Sequence, residues 1–291
     1  MSGAAGAERT EAAGGAATVG RLRTARPGLG VLGVLVIAGW AAVAAVGPAL
    51  APYPARQVDV IRRLKPPSSD HYFGTDALGR DVLSRVLVGS RVSLPSGFAV
   101  VLVAAAFGTL YGGLAAFGNA RVEEVLMRVT DLFLSFPPLI LAMAIAAALG
   151  IGVRNTIVAM VVVWWPKYAR LARSLVLVQR SQEYVEAARG LGLGRGRTLL
   201  RHIVPNAAGP LVVLLTLDVG NAMITFAGLS FLGLGVVPPT PEWGAMVSDG
   251  QVLIEQWWVS TFPGLAIFSV VVGFNFLGDA LRDWLDPRAR G

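Results

Sequence analysis

The stretches of sequence between charged residues are unusually long, and their length constrains this chain more than any other feature. Arg26 to Arg56 encloses 29 uncharged residues, Arg91 to Arg121 another 29, Asp131 to Arg154 22, and Glu255 to Asp279 23. The hydrocarbon core of a bilayer is about 30 Å thick, so a crossing helix needs about 20 mainly apolar residues. The four stretches predict spans near 28–50, 92–117, 126–149 and 258–280. Trp257, Trp258 and Trp284 flank the last of these as interfacial anchors. Two weaker spans complete the set. Asn155 to Pro166 offers only 12 uncharged residues, enough if Lys167 and Arg170 lie near the helix end and snorkel to the headgroups. The segment from Ala208 to Leu229 carries Asp218 near its centre. A central Asp costs about 2.5–3.5 kcal/mol, and the Leu, Val and Ile residues around it return about 0.3–0.6 kcal/mol each, so this span about breaks even and relies on neighbouring helices. Six transmembrane helices result.

Composition supports this and narrows the functional classes. The chain is 54% hydrophobic and 15% charged with a mean hydropathy of +0.62, whereas a soluble domain is about a quarter charged. A soluble cytosolic enzyme and a disordered protein are both excluded. There is no cysteine, so thiol catalysis, disulfides and thiolate metal sites are absent together. The two histidines, His71 and His202, are 131 residues apart, which rules out helical metal-ligand spacing. The +7 net charge reads as a topology signal rather than as nucleic-acid binding. With the N-terminus inside, 17 Lys and Arg fall on the cytoplasmic side and 8 outside, placing both termini in the cytoplasm.

Residues 1–27, rich in Ala and Gly, read as a disordered cytoplasmic tail, leaving 28–291 as one membrane domain. Ala49-Leu50-Ala51 fits a signal-peptidase pattern, but the charged leader and the apolar run before it are both too long for a usual signal peptide. In the first outside loop, Leu78, Val82, Leu83, Val86 and Leu87 share one helical face, with Arg80, Asp81 and Arg85 off it. That pattern predicts an amphipathic helix at the membrane surface, either packed structurally or docking a partner. His71 reads as a loop residue.

The segment 179–206 is the longest one on the cytoplasmic side. Glu183 to Arg189 forms a strong helix with a Glu186–Arg189 pair, glycines at 190, 192, 194 and 196 force a turn, and Thr198 to Val204 resumes a helical pattern. A helix, turn and helix between two spans suits docking of a soluble protein. No phosphate-binding loop is present, because neither lysine, Lys65 or Lys167, follows a glycine, and the four glycines miss the dinucleotide-binding spacing. Any ATP must be bound by another chain. No HExxH or GxSxG motif occurs. An intramembrane carboxylate pair of Asp131 and Asp218 is disfavoured because Asp131 starts close to the cytoplasmic end of its span. A secondary transporter would show internal repeats and more intramembrane charges.

At these residues the sequence resembles the permease subunits of ATP-binding-cassette importers, in the dipeptide/oligopeptide/nickel branch. Glu186-Ala187-Ala188, Gly192, and His202-Ile203-Val204-Pro205 nine residues further on match the family's EAA loop, with His202 and Val204 in place of Ile and Leu. Similar stretches are His71-Tyr72-Phe73-Gly74-Thr75-Asp76 with Gly79-Arg80-Asp81, then Leu229 to Gly235 through Pro238 to Gly244, and Gly278-Asp279 to Arg288. Gly194 and Gly196 depart from the family pattern. The resemblance implies an all-α polytopic membrane protein with six transmembrane helices of the MetI-like type. It implies a homologous second permease subunit, two ATP-binding subunits that hold ATP and Mg, an extracytoplasmic solute-binding protein, membrane lipid around the bundle and no nucleic acid. The chain itself would hold no cofactor or metal and would not be an enzyme. Glu183, Glu186, Ala187, Ala188, Gly192, His202 and Pro205 would couple ATPase motion to alternating access, and the cargo would be a dipeptide or oligopeptide, with nickel or another small solute as the alternative. Asp218, facing the bundle interior, and Asn221, three residues on and on the same helical face, are the candidate translocation-path residues.

Overall fold

The computed structural model describes residues 27–190 and 204–285, with residues 193, 194, 197 and 201 between them. The expected tail 1–27 lies almost wholly outside the described residues, as do the glycine turn at 191–192 and 195–196 and most of 198–203. The described residues contain helices and no strand; Thr75 and Asp81 form one isolated antiparallel bridge. The helices are α1 (Pro27–Leu50), α2 (Val82–Phe117), α3 (Ala120–Leu134), α4 (Pro138–Leu149), α5 (Val153–Arg180), α6 (Glu183–Gly190), α7 (Val204–Phe231), α8 (Trp243–Gly250) and α9 (Trp258–Leu285). Four of them, α1, α2, α7 and α9, are long and apolar enough to cross a membrane, and α3 with α4 makes a fifth candidate if the bent pair is one span. With 28 residues α5 is also long enough, but it carries Arg154, Lys167, Arg170, Arg173 and Arg180.

The bundle is held by close backbone approach. α2 runs parallel to α5, and Gly108 and Gly112, one turn apart, face it: a Cβ added at Gly108 would sit 2.3 Å from the Trp165 carbonyl oxygen, and one at Gly112 2.0 Å from that of Ala169. Without a hydrophobic driving force between helices in lipid, such small-residue seams supply the van der Waals contact that holds them together. Tyr168 and Trp165 close over the seam, buried, with Tyr111, Phe107 and Phe133 edge-on to Trp165. α1 lies on α9 in the same way, through Gly33 against the Gly273 carbonyl and a hydrogen bond from Trp40 Nε1 to Ser269 Oγ of 2.9 Å.

These contacts sort the connections into two ends. Residues 51–81 and 232–257 share one end, tied by Trp258 Nε1 donating to the Thr75 carbonyl at 3.1 Å and by Thr156 Oγ1 donating to that of Leu234 at 2.8 Å. Residues 118–119 and α6 share the other, where Arg180 donates to the Ala116 carbonyl and its guanidinium lies over the Phe117 ring. These are called the loop end and the α6 end below.

The structure corrects four expectations. The third span is broken: α3 and α4 meet at 87°. Pro137 and Pro138 supply no N–H, and Phe136, preceding a proline, is pushed out of helical geometry, so α3 stops and α4 restarts with Pro138 at its first position. The amphipathic surface helix over 78–87 is not separate. Asp81 caps α2, accepting from the Ser84 N–H at 2.7 Å, and the 36-residue helix runs on from Val82, with Arg80, Asp81 and Arg85 buried rather than turned to solvent. α5 does not end near Lys167 but continues to Arg180. Of the three flanking tryptophans, Trp257 and Trp284 are exposed, but Trp258 is buried as a staple between α9 and the loop.

The seam yields a prediction. Gly112→Val forces side-chain atoms into the α5 backbone, where overpacking costs about 1–3 kcal/mol or more. The variant should lose most of its monodisperse, membrane-extracted protein on size exclusion, whereas Gly113→Val, whose added Cβ meets nothing within 4 Å, should behave as the parent.

Candidate functional site

The EAA-like segment begins as α6, an eight-residue helix with Glu183 and Glu186 in its first turn, where the partial positive charge of the helix N-terminus favours carboxylates. Glu183, Glu186 and Ala187 are exposed. Val185 seats the helix, fully buried against Ala116 of α2 and Val176 of α5. Asn206 donates to the Tyr184 hydroxyl at 3.3 Å, tying α6 to the start of α7, where Pro205 sits exposed in the first turn. The arrangement is a small acidic protrusion seated on the ends of the two helices that form the glycine seam. Gly192, His202, the side chains of Ala188 and Arg189, and the helical pattern over 198–203 lie outside the described residues.

The charges within the bundle are placed by α5. Lys167, Arg170 and Arg173 follow one another at three-residue spacing, and each meets an acid from another helix. Lys167 Nζ lies 2.6 Å from Asp218 Oδ2 of α7 and 3.7 Å from the centre of the Trp164 ring. The Tyr168 hydroxyl donates to the same Asp218 oxygen at 2.5 Å. Arg170 lies 2.6 Å from Asp131 of α3, and Arg173 pairs with Glu123. Lys167 therefore does not snorkel to headgroups: its ammonium is held inside the bundle by a buried carboxylate. Asp218 is buried, whereas Asn221, expected on the same face, is exposed, because three residues turn the helix by about 60° from alignment and that rotation carries it past the edge of the α5 contact. Reading apolar runs alone misses Lys167, Tyr168 and Arg170. The signal that finds them is the row of cations at 167, 170 and 173 set against Asp131 and Asp218, each too costly to bury alone.

At the loop end a second ionic cluster joins three parts of the chain. Arg80 Nε lies 2.6 Å from Asp76 Oδ2, Arg85 Nε 3.4 Å from the same oxygen, and both guanidiniums reach Asp249 of α8. His71, a loop residue as expected, is buried with Nδ1 2.9 Å from Asp81. Burial pushes the Asp249 carboxyl above its ordinary range, opposed by Arg85 and Arg80. Glu242 is fully buried and caps α8, accepting from the N–H groups of Gly244 and Ala245 at 2.9 Å each and from Ser93 Oγ of α2 at 3.0 Å. Burial raises this carboxyl too, and those donors oppose the rise. The motifs around Arg80 and Glu242 are thus braces between the loop, α8 and α2. Among the described residues no group of three His, Asp or Glu side chains is placed to hold a metal.

With this geometry in hand, the comparisons with known proteins are specific. Residues 108–291 match the family described as binding-protein-dependent transport system inner membrane component. The chain is 46% identical over 245 residues to the probable D,D-dipeptide transport system permease protein DdpC of Escherichia coli, covering 84% of this chain and 82% of that protein. It is 40% identical over 263 residues to the dipeptide transport system permease protein DppC of Alkalihalophilus pseudofirmus, covering 90% and 86%. It is 44% identical over 226 residues to the glutathione transport system permease protein GsiD of Escherichia coli, covering 77% and 75%. Among solved structures, an inward-facing MetNI methionine ABC transporter chain shares the fold with a TM-score of 0.59 at 18% identity, over 69% of this chain and 96% of that one.

The buried pair generates the second prediction. Lys167→Met leaves Asp218 without its cation and should destabilise the protein by about 3 kcal/mol, the low end for breaking a buried pair because the lysine side chain is 33% exposed. Adding Asp218→Leu removes the orphaned charge and should bring the melting temperature most of the way back. Thermal denaturation of both variants in detergent checks this, and additive losses would show that the two residues do not interact.

Proposed function

Because the chain belongs to the binding-protein-dependent transport system inner membrane component family, we propose that it is a permease subunit of an ATP-driven importer whose cargo is a dipeptide or another short peptide. The observation that carries the cargo class is the identity of 40–46% with permeases named for D,D-dipeptide, dipeptide and glutathione transport. None of these three is a nickel system. The subunit works with a homologous second permease, two ATP-binding subunits and an extracytoplasmic solute-binding protein. ATP and Mg are held by the ATP-binding subunits, and this chain contributes no catalytic residue.

On this reading α6 is the coupling element. Its exposed Glu183 and Glu186 offer carboxylates to an ATPase surface, and Gly192, His202 and Pro205, the last in the first turn of α7, complete the motif. Motion of the ATPases reaches the bundle through Val185, whose neighbours Ala116 and Val176 belong to α2 and α5. The α6 end, with both termini, faces the cytoplasm and the loop end faces outward, in agreement with the 17 to 8 division of basic residues. Alternating access then exposes the interior first to one side and then to the other.

Two experiments test this. In the reconstituted transporter, Glu186→Ala and Gly192→Val should insert and assemble normally yet lower both dipeptide uptake and cargo-stimulated ATP hydrolysis about tenfold, equivalent to about 1.4 kcal/mol of lost coupling. Parental uptake by both variants would refute the coupling role. Orientation is checked with single cysteines, simple to interpret in a chain that has none: Ser69→Cys and Ser248→Cys should be labelled by an impermeant reagent from outside, and Thr198→Cys only from inside.

A further inference from the structure

The three cations of α5 are not equally enclosed. Asp218 is 5% exposed at its side chain and holds Lys167 inside the bundle, whereas Arg170 and Asp131 are 57% and 54% exposed. Arg170 lies just past the uncharged run 155–166 of α5, one turn before Arg173, whose partner Glu123 is in the first turn of α3. Asp131, touching Arg170, lies at the same level. A charge facing hydrocarbon costs up to about 2.5–3.5 kcal/mol, so an exposed pair of opposite charges on two such helices marks a face that meets water or another polar surface. α3 is divided accordingly. Val122, Val125, Val129 and Leu132 are exposed on one side, and on the other a cavity of about 410 Å³ is lined by Glu123, Glu124, Met127, Asp131, Arg170 and Arg173. That volume is in the range of small-ligand sites, which run from about 300 to 1,000 Å³.

We propose that this cavity, between α3 and α5, is a cargo site, in which the carboxylate of a zwitterionic short peptide takes Arg170 and its ammonium takes Asp131. The site rests on the reading of the chain as a peptide-importer permease and adds to it the residues that meet the cargo. Exchange is feasible at this pair and not at its neighbour for a reason of magnitude. A hydrated ion pair is worth about 0–1 kcal/mol, so a ligand bearing both charges replaces each partner at little cost. Breaking a buried pair costs about 3–5 kcal/mol, so Lys167 and Asp218 stay together while the cargo passes. Arg170 presents a planar fork matched to a carboxylate, and the cavity wall offers carboxylates, not further free cations, toward the ammonium.

The test uses the complete transporter in nanodiscs, with Met127→Cys as a reporter inside the cavity and Leu35→Cys, on the exposed apolar face of α1, as the lipid control. A water-soluble cationic methanethiosulfonate should modify the Met127→Cys protein at least tenfold faster than the Leu35→Cys protein. Alanyl-alanine should slow modification at position 127 at least threefold, and Arg170→Gln should abolish that protection while Arg170→Lys retains part of it. A structural ion pair would give no cargo protection at all. Equal reaction rates at the two positions, or protection unchanged by Arg170→Gln, would overturn the site. If Arg170→Gln fails to assemble, Asp131→Asn gives the same decision through the cargo's ammonium. Uptake of labelled alanyl-alanine by the unmodified transporter separates the two levels: no uptake defeats the peptide reading and the site with it, whereas uptake without protection defeats the site alone.

Discussion

A charge inside a low-dielectric bundle needs a partner, and most of the distinctive geometry of this protein follows from that requirement. α5 brings three cations into the bundle at three-residue spacing, and three acids on two other helices are positioned to meet them. Arg91, within α2, satisfies the same requirement differently, donating to the Ala44 and Ala45 carbonyls of α1. α7 tolerates Asp218 at its centre because Lys167 and Tyr168 are opposite it, and α5 tolerates Lys167 for the reciprocal reason. Neither helix would insert comfortably alone, so each specifies its neighbour, a use of buried charge for register as much as for stability.

The glycine seam makes that pairing geometrically possible. Gly108 and Gly112 let α2 approach the α5 backbone at Trp165 and Ala169, which fixes the rotation of α5 and sends Tyr168 and Lys167 toward α7. A bulkier seam would move α5 outward and lengthen a 2.6 Å contact whose value depends on the exclusion of water. Packing and electrostatics are therefore one device here: small residues on α2 permit charged residues on the adjoining face of α5.

This interdependence explains what could be read from the sequence. Apolar runs locate the core of every long helix because hydrocarbon thickness acts on each span separately. Charge used as a boundary marker fails wherever a charge has a partner. Arg80, Asp81 and Arg85 looked like the polar side of a surface helix, yet Asp76, His71 and Asp249 enclose them and α2 runs through. Lys167 looked like a helix end, and Asp218 makes it an interior residue. The break between α3 and α4 was written locally, in Pro137-Pro138, but an uncharged run of 22 residues masks it when only hydropathy is counted. Of the proposed coupling segment, the motif and the acidic helix were legible, and the seat provided by Val185 was not, since it depends on where α2 and α5 end.

The two ends of the bundle differ in how firmly they are tied, and that difference gives the proposed coupling a direction. At the loop end, the Asp76–Arg80–Arg85–Asp249 cluster, the Glu242 cap on α8 and the Trp258 staple join the loop, α2, α8 and α9 through buried polar contacts that are costly to break singly. At the opposite end, among the described residues, α6 is held by the buried Val185 and by hydrogen bonds from Tyr184 to Gln179 of α5 and from Asn206 of α7 to Tyr184. On the proposed coupling role, a displacement applied to α6 would pass through Val185 to α2 and α5, which the close backbone seam joins as a pair. Resistance rises toward the loop end, where those helices are braced. The motion that this distribution favours is a tilt of the α2–α5 pair about the braced end, and a tilt of that kind changes most the surroundings of the residues exposed on α3 and the second half of α5, Arg170 and Asp131 among them.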